Sequence, residues 1–173
     1  MFRVTGKNRQ DHNYHVRMIE AVGKLDMGAG IILAAVYFEW CVTRCIMALG
    51  RSSVAEIRRT ISEECSNFDD IVDLWRAEVV VAHSNIPIIP EVFDKKKKKQ
   101  SFRGRVLTWD AIKKARKSRN ELVHGKRCDP LEKHGRKHLD ILLAASGIIA
   151  ELAEVSGHSI FRVVRRKAGL ANQ

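Results

Sequence analysis

Apolar residues recur at intervals of three and four along most of this 173-residue chain, and this spacing limits how the chain can fold. One such stripe, on a single face of a helix, consists of Ile31, Ala35, Phe38, Val42, Cys45 and Leu49. Only 3 Pro and 11 Gly interrupt the chain, and no segment alternates as a half-buried strand would. The pattern predicts an all-α fold, most simply an up-and-down helical bundle.

Capping residues predict four helices in the first half of the chain. The first is expected to start after Asp11, and the second to cover residues 30–49 and end at Gly50. The third opens with the capping box Ser53-Val54-Ala55-Glu56 and continues to about residue 65. The fourth is expected over residues 67–83, because it is followed by three residues that stop a helix, Asn85, Pro87 and Pro90.

Two further helices are predicted after a long loop over residues 85–107. One is capped by Thr108, covers residues 109–124 and ends at Gly125. The other starts at Asp129-Pro130, runs to Val155 and is closed by Gly157. Its inner stripe is expected to contain Ile141, Ala145, Ile148, Leu152 and Val155. A basic tail over residues 157–173 is expected to add a last helical turn or two.

Length and composition favour one folded domain over residues 1–173, with its core over about 11–156. Hydrophobic residues make up 45% of the chain and charged residues 29%, so disorder along the whole length is excluded. The net charge is +11, but residues 95–139 hold 17 of the 31 Lys and Arg and 4 of the 20 Asp and Glu. The excess of positive charge favours a polyanionic partner, nucleic acid or an anionic membrane, and its concentration in one stretch predicts a local binding site.

Neither a membrane span nor a signal peptide is expected. The longest apolar segment, Met27–Phe38, has 12 residues, whereas a span needs about 20. The N-terminal residues contain no apolar core of the signal-peptide kind. The four cysteines lack CxxC spacing, and we interpret them as free thiols of a reducing cytoplasm. They are Cys41, Cys45, Cys65 and Cys128.

The segment Trp109–Gly125 carries the most informative chemistry. Arg119 follows Ile112 by seven residues and precedes Leu122 by three, which predicts that it lies on the apolar stripe. An unpaired buried charge is very costly, so Arg119 must face a carboxylate, a cleft or a bound anion. The other basic residues of this helix are expected on solvated or phosphate-facing surfaces; they are Lys113, Lys114, Arg116 and Lys117.

Asn120 and His124 are four residues apart and therefore share a helix face, where the Asn amide could hold the imidazole in one tautomer. Arg119 and His124 are five apart, about 140° around a regular helix. They converge only if the arginine reaches round, if the last turn before Gly125 loosens, or if a second chain completes the site.

The sequence Arg119-Asn120-Glu121-Leu122-Val123-His124 resembles the signature of HEPN domains, helical bundles whose ribonuclease members carry Arg, a polar residue and then His. The context is similar too, because the motif ends a helix, Gly follows, and a long amphipathic helix comes next. The upstream segment AVYFEWCVTRCIMAL contains Glu39 and resembles the early HEPN helix that carries an acidic residue. In order of elements the resemblance covers about residues 13–156.

The resemblance implies a metal-independent endoribonuclease without a cofactor, in which Arg119 and His124 are catalytic and Asn120 orients. It also implies a homodimer that lines one cleft with both motifs, and a role as a toxin or phage-defence effector with an antitoxin or partner protein. Lys126 stands where toxins paired with a nucleotidyltransferase antitoxin often have Tyr, so that kind of partner is not expected. Glu39 and Glu121 are candidates for supporting the site. Candidate RNA-binding residues are Lys95, Lys96, Lys97, Lys98, Lys99, Lys117, Lys126 and Arg127.

Plainer interpretations stay open for each feature. Arg119 could form a salt bridge with Glu39, His124 could merely sit at the negative end of its helix, and the lysine run could be a solvated loop. The whole chain could be a non-catalytic HEPN-like module that binds nucleic acid or a protein. His134 and His138, with Cys128 nearby, are better explained as a solvated face than as metal ligands. Residues expected at the surface are His12 and His15, and those expected in core or dimer contacts are Trp40, Trp75 and Trp109.

Overall fold

A computed structural model of the chain describes residues 7–94, 101–102, 105–125 and 130–161. Within these segments the fold is an all-α bundle, as predicted. Its α-helices are α1 Lys7–Leu25, α2 Met27–Leu49, α3 Val54–Glu63, α4 Phe68–Trp75, α5 Ile89–Asp94, α6 Trp109–Val123 and α7 Pro130–Val155. A two-residue antiparallel pairing of Ser101–Phe102 with Arg105–Val106 is the only strand structure in the described part of the chain.

Helix α2 is the centre of the bundle, with α1, α6 and α7 packed around it. The six residues of its predicted stripe are all buried, which confirms that stripe. By length and composition alone α2 could cross a membrane, and 61% of its apolar window is buried inside the bundle. The apolar segment was expected to end at Glu39, but the buried part of α2 extends beyond this residue. The charge of Glu39 is accommodated there because it pairs with Arg116 of α6.

Most predicted helix starts are confirmed by their caps. The Ser53–Glu56 capping box is complete, and the Thr108 side chain accepts from the N–H of Ala111. Two starts were placed too late. Asp11 lies inside α1, and α2 begins at Met27, where Asp26 accepts from the N–H of Ala29 at 3.0 Å.

The fourth helix changes its geometry midway. Asn67 caps α4, and a π-helical turn, Arg76–Val80, follows directly. Glu78 of this turn is buried, and its carboxylate accepts from the N–H and the hydroxyl of Ser52, both at 2.8 Å. The turn is thereby fastened to the connection between α2 and α3.

The loop predicted over residues 85–107 was partly wrong, because α5 lies within it. Pro90 was interpreted as a residue that stops a helix, but it is the second residue of α5, where its missing N–H has no helical partner to lose. Buried side chains of Ile89, Val92 and Phe93 fix this short helix to the core.

The inner face of α7 also differs from the prediction. Ile141 and Ala145 are buried, but Ile148 and Leu152 are half-buried and Val155 is exposed. The face that packs on the core consists of Leu139, Leu142, Ala145, Ser146, Ile149 and Ala153. Residues 141–150 of α7 are almost all apolar, so the sequence alone offered two overlapping stripes.

Helix α1 approaches α2 closely at two glycines. A Cβ added to Gly30 would lie 2.5 Å from the Cα of Gly23, so Gly30 has no room for a side chain. Two to three turns away along the same two helices, the His12 ring nitrogen Nδ1 lies 2.8 Å from the hydroxyl of Tyr37. His15 stacks between Tyr37 and Trp40, so the surface positions predicted for both histidines were wrong.

The remaining core predictions are largely confirmed. Trp75 is fully buried, Trp109 is half-buried, and Trp40 is partly exposed. Cys41 and Cys45 are buried free thiols, and Cys65 is a half-buried one. Cys128, the run Lys95–Lys99 and residues 162–173 of the basic tail lie outside the described residues.

Candidate functional site

A cleft of about 450 Å³ opens where the C-terminal end of α6 meets the middle of α2 and the turn between α3 and α4. The charged and amide side chains that line it are Glu39, Asn67, Arg116, Arg119, Asn120 and His124. The structure therefore brings the three predicted catalytic residues to one cavity within a single chain. Arg119 was expected to face a carboxylate, a cleft or a bound anion, and in the structure its side chain faces a cleft.

Arg119 does not lie on the innermost face of α6. That face is formed by Ile112, Ala115 and Ser118, and Arg119 is half-buried beside it. Its Nη1 donates to the side-chain oxygen of Asn120 at 2.9 Å. Its Nε is buried and has no hydrogen-bond partner among the described residues.

Arg116, which was expected to be a solvated charge, is the arginine that Glu39 pairs with. Its Nε and Nη2 both donate to Oε1 of Glu39, at 3.1 and 2.8 Å. Its guanidinium carbon lies 3.8 Å from the centroid of the Phe68 ring. The salt bridge that was considered for Arg119 therefore belongs to Arg116, one turn earlier.

His124 reaches the cleft because the helix ends just before it. Its backbone angles, φ −87° and ψ 12°, are outside the helical range, and its N–H donates to the Asn120 carbonyl at 3.1 Å. Gly125 follows with φ +66°. The last turn has thus loosened in the way that lets Arg119 and His124 face one cavity.

Asn120 contacts Arg119 rather than His124. Within the described segments the imidazole of His124 has no hydrogen-bond partner, and the Asn120 oxygen accepts from the guanidinium. The expectation that Asn120 holds the imidazole is therefore wrong for this structure. His124 has non-helical backbone angles because α6 ends just before it, so it does not share a helix face with Asn120 as it would on a regular helix.

The other predicted residues are spread more widely. Lys117 is exposed and lies 3.8 Å from Glu121 as an ion pair one turn apart, and neither residue lines the cleft. Lys95–Lys99, Lys126 and Arg127 lie outside the described residues, so their placement relative to the cleft stays a prediction.

His134 and His138 do not form a metal site in the described part of the chain. Their ring centroids are 6.2 Å apart, and Nδ1 of His138 lies 2.9 Å from the Ser118 hydroxyl. Burial, with neighbouring His134 and Lys137, lowers the pKa of His138. Across the described residues, no three His, Cys, Asp or Glu side chains are grouped so that they could hold a metal ion.

The sequence interpretation missed Arg116 and the wall formed by the α3–α4 turn. For Arg116 a signal was available, because it follows Ile112 by four residues and so shares its face. For Asn67 and Phe68 there was none, since their approach to the cleft depends on how α4 packs on α2. Comparison with protein-family models, with curated proteins and with solved structures finds no match for this chain. The functional argument therefore rests on the residues of the cleft.

Proposed function

We propose that this chain is a metal-independent endoribonuclease of the HEPN type, with Arg119 and His124 as its catalytic residues. The observation that carries the proposal is that both side chains line one cleft at the end of α6, with a buried donor of Arg119 unused. The reaction needs no external nucleophile, because RNA carries a 2′-hydroxyl next to each phosphodiester.

In this proposal the imidazole of His124 takes the proton of the 2′-hydroxyl, because an imidazole titrates near neutral pH. The 2′-oxygen attacks the adjacent phosphorus and the bond to the 5′-oxygen breaks, which leaves a 2′,3′-cyclic phosphate on one fragment and a 5′-hydroxyl on the other. The departing 5′-oxygen takes its proton from solvent water. Arg119 stabilises the charge on the crowded phosphate through its forked donors. Asn120 acts on Arg119, fixing the direction of the guanidinium through the 2.9 Å hydrogen bond.

The proposed setting is a cytoplasmic toxin or defence effector. The buried free thiols of Cys41 and Cys45 fit a reducing compartment. The basic stretch over residues 95–139 is the proposed contact with the RNA backbone.

We test the proposal with purified protein in EDTA, using folded and single-stranded RNA. Wild type is expected to cut RNA, and His124→Ala is expected to lose at least about a hundredfold in rate, the size typical of a general base. His158→Ala is the matched control, since His158 is an exposed histidine away from the cleft. Wild type that leaves every RNA intact, or equal rates in the two variants, would refute the proposal.

A homodimer is also part of the proposal. One chain already brings Arg119 and His124 to one cleft, so their angular separation no longer requires a second chain. What supports a dimer is an exposed apolar strip on α2, next to the face that bears Glu39. The strip consists of Leu33, Val36 and Trp40.

A second candidate is a non-catalytic helical module that binds a partner protein or nucleic acid. Exposed apolar residues of α1 favour a protein partner; they are Tyr14, Met18 and Leu25. Protein that cuts no RNA in EDTA but still shifts RNA on a gel would support the nucleic-acid version of this candidate. Protein that neither cuts nor shifts RNA would leave the partner-protein version.

A further inference from the structure

The Glu39–Arg116 pair lines the proposed catalytic cleft. Glu39 comes from the middle of α2 and Arg116 from α6, one turn before Arg119. Their side chains are 30% and 17% exposed, so both reach the cavity while most of their surface is covered. Phe68 supports the flat face of the guanidinium from below.

The carboxylate does not satisfy the guanidinium completely. Both hydrogen bonds converge on the single oxygen Oε1 of Glu39, whereas a bidentate pair uses both oxygens and two parallel donors. Nη1 of Arg116 takes no part in them. One turn further, the Nε of Arg119 is also without a partner among the described residues. Both arginines that line the cleft therefore keep at least one donor that no described residue occupies.

Glu39 also sets the charge of the cavity. The cleft is lined by two arginines and one carboxylate, which leaves a net charge of +1 when His124 is neutral. An internal phosphodiester carries one negative charge, whereas a terminal phosphate carries about −1.5 to −2 at pH 7. A cleft with one net positive charge balances the single negative charge of the diester. It gives little additional binding energy for the extra negative charge of a terminal phosphate.

We propose that Glu39 is a specificity-determining residue that adjusts this cleft, through Arg116, to internal phosphodiesters rather than terminal phosphates. The inference rests on the proposed function, which it deepens by naming the kind of phosphate that the site accepts. Arg116 is the second phosphate-binding residue, and Glu39 acts by neutralising part of its charge.

The test measures binding rather than cleavage. One probe is a 2′-O-methyl dinucleoside monophosphate, which has one diester and no free 2′-hydroxyl to attack it. The other is a nucleoside 3′-monophosphate, and dissociation constants for both are obtained by NMR titration. Wild type is expected to bind the diester at least as tightly as the monoester.

Glu39→Gln should shift the ratio of the two constants by about fivefold towards the monoester, the effect of one partly screened charge. Glu20→Gln is the matched control, because Glu20 is a half-buried carboxylate that pairs with Arg136 at 3.1 Å across two helices far from the cleft lining. It removes the same charge and should leave the ratio unchanged. Equal shifts in Glu39→Gln and Glu20→Gln would overturn the proposal.

The double variant Glu39→Gln/Arg116→Gln restores the net charge of the cleft and should restore the wild-type ratio, which a structural role would not do. A double variant that keeps the shift of the single one also overturns the proposal. If Glu39→Gln does not fold by circular dichroism, Arg116→Gln replaces it and must lose more affinity for the monoester than for the diester. Because neither probe can be cut by 2′-hydroxyl attack, these results stand apart from the EDTA assay that tests the proposed function.

Discussion

The guanidinium of Arg119 donates to the side-chain oxygen of its own neighbour Asn120, at 2.9 Å. Adjacent residues on a helix point about 100° apart, so this contact bends the arginine around the helix towards the end where His124 lies. The same contact occupies Nη1 and leaves the buried Nε free. Asn120 thus determines which donor of Arg119 is offered to a ligand.

The first prediction concerns Asn120. Asn120→Ala should lower kcat/KM for RNA by about tenfold, because a hydrogen bond to a charged group contributes about 1.5–3 kcal/mol. The pH dependence of the rate should stay as in wild type, since Asn120 does not contact the imidazole. Asn13→Ala, at an exposed asparagine of α1 that does not line the cleft, is the matched control. A displaced pH profile in Asn120→Ala would instead assign Asn120 to His124.

The second prediction concerns the dimer. Because one chain places both Arg119 and His124 in its own cleft, mixing Arg119→Ala with His124→Ala protein should restore no cleavage activity, and recovered activity would instead show a cleft that two chains share. Val36→Glu, which places a charge on the apolar strip of α2, should abolish the dimer seen by light scattering. A wild-type protein that is monomeric at micromolar concentration would contradict the dimer.

The third prediction concerns the lysine run. Replacing Lys95–Lys99 by Ser should weaken RNA binding and reduce the slope of log affinity against log salt by about 0.7 for each lost phosphate contact with a single strand. The measurement is fluorescence anisotropy with an uncut 2′-O-methyl RNA over a series of salt concentrations. An unchanged slope would show that the run does not touch RNA.

The fourth prediction concerns pH and stability. Burial, with a smaller contribution from nearby His15, lowers the pKa of His12 from 6.5 to about 4. The unfolded state therefore binds the extra proton first, so the free energy of unfolding should fall as the pH drops from about 6.5 to about 4. The loss from this group is up to about 3 kcal/mol.

Urea unfolding at several pH values checks this prediction. His12→Gln should show a clearly smaller decrease in stability over that interval than wild type. His158→Gln, in which an exposed histidine is replaced, should follow wild type. Buried His138 adds a slope of the same sign, so the difference between proteins isolates His12. Parallel curves for wild type and His12→Gln would refute the assignment.

Local signals predicted the helices well because they act within a few residues. The capping box at Ser53 and the cap at Thr108 lie where expected, and the single buried stripe of α2 is correct in every member. The errors are the late starts of α1 and α2, the missed helix α5 and the inner face of α7. A proline is compatible with a first helical turn, and a helix with two overlapping apolar stripes does not itself say which one packs inward.

The site was predicted less completely, because its geometry depends on packing between distant segments. Arg119 and His124 were identified from their spacing, but Glu39 meets Arg116 across 77 residues of chain. Arg119 was predicted on the inward face of α6 and Arg116 on a solvated one, but the packing of α2 against α6 places Glu39 beside Arg116. No local rule contains that information.

Gly125 is required for its left-handed backbone conformation and not for lack of space around it. A Cβ built on it would meet nothing within 4 Å, so the surroundings tolerate a side chain, but φ +66° is a backbone angle that L-residues rarely adopt. A D-alanine introduced by chemical synthesis would keep the angle, whereas an L-alanine would favour another turn of helix and carry His124 with it. The position of the His124 side chain thus depends on the left-handed backbone conformation of the residue that follows it.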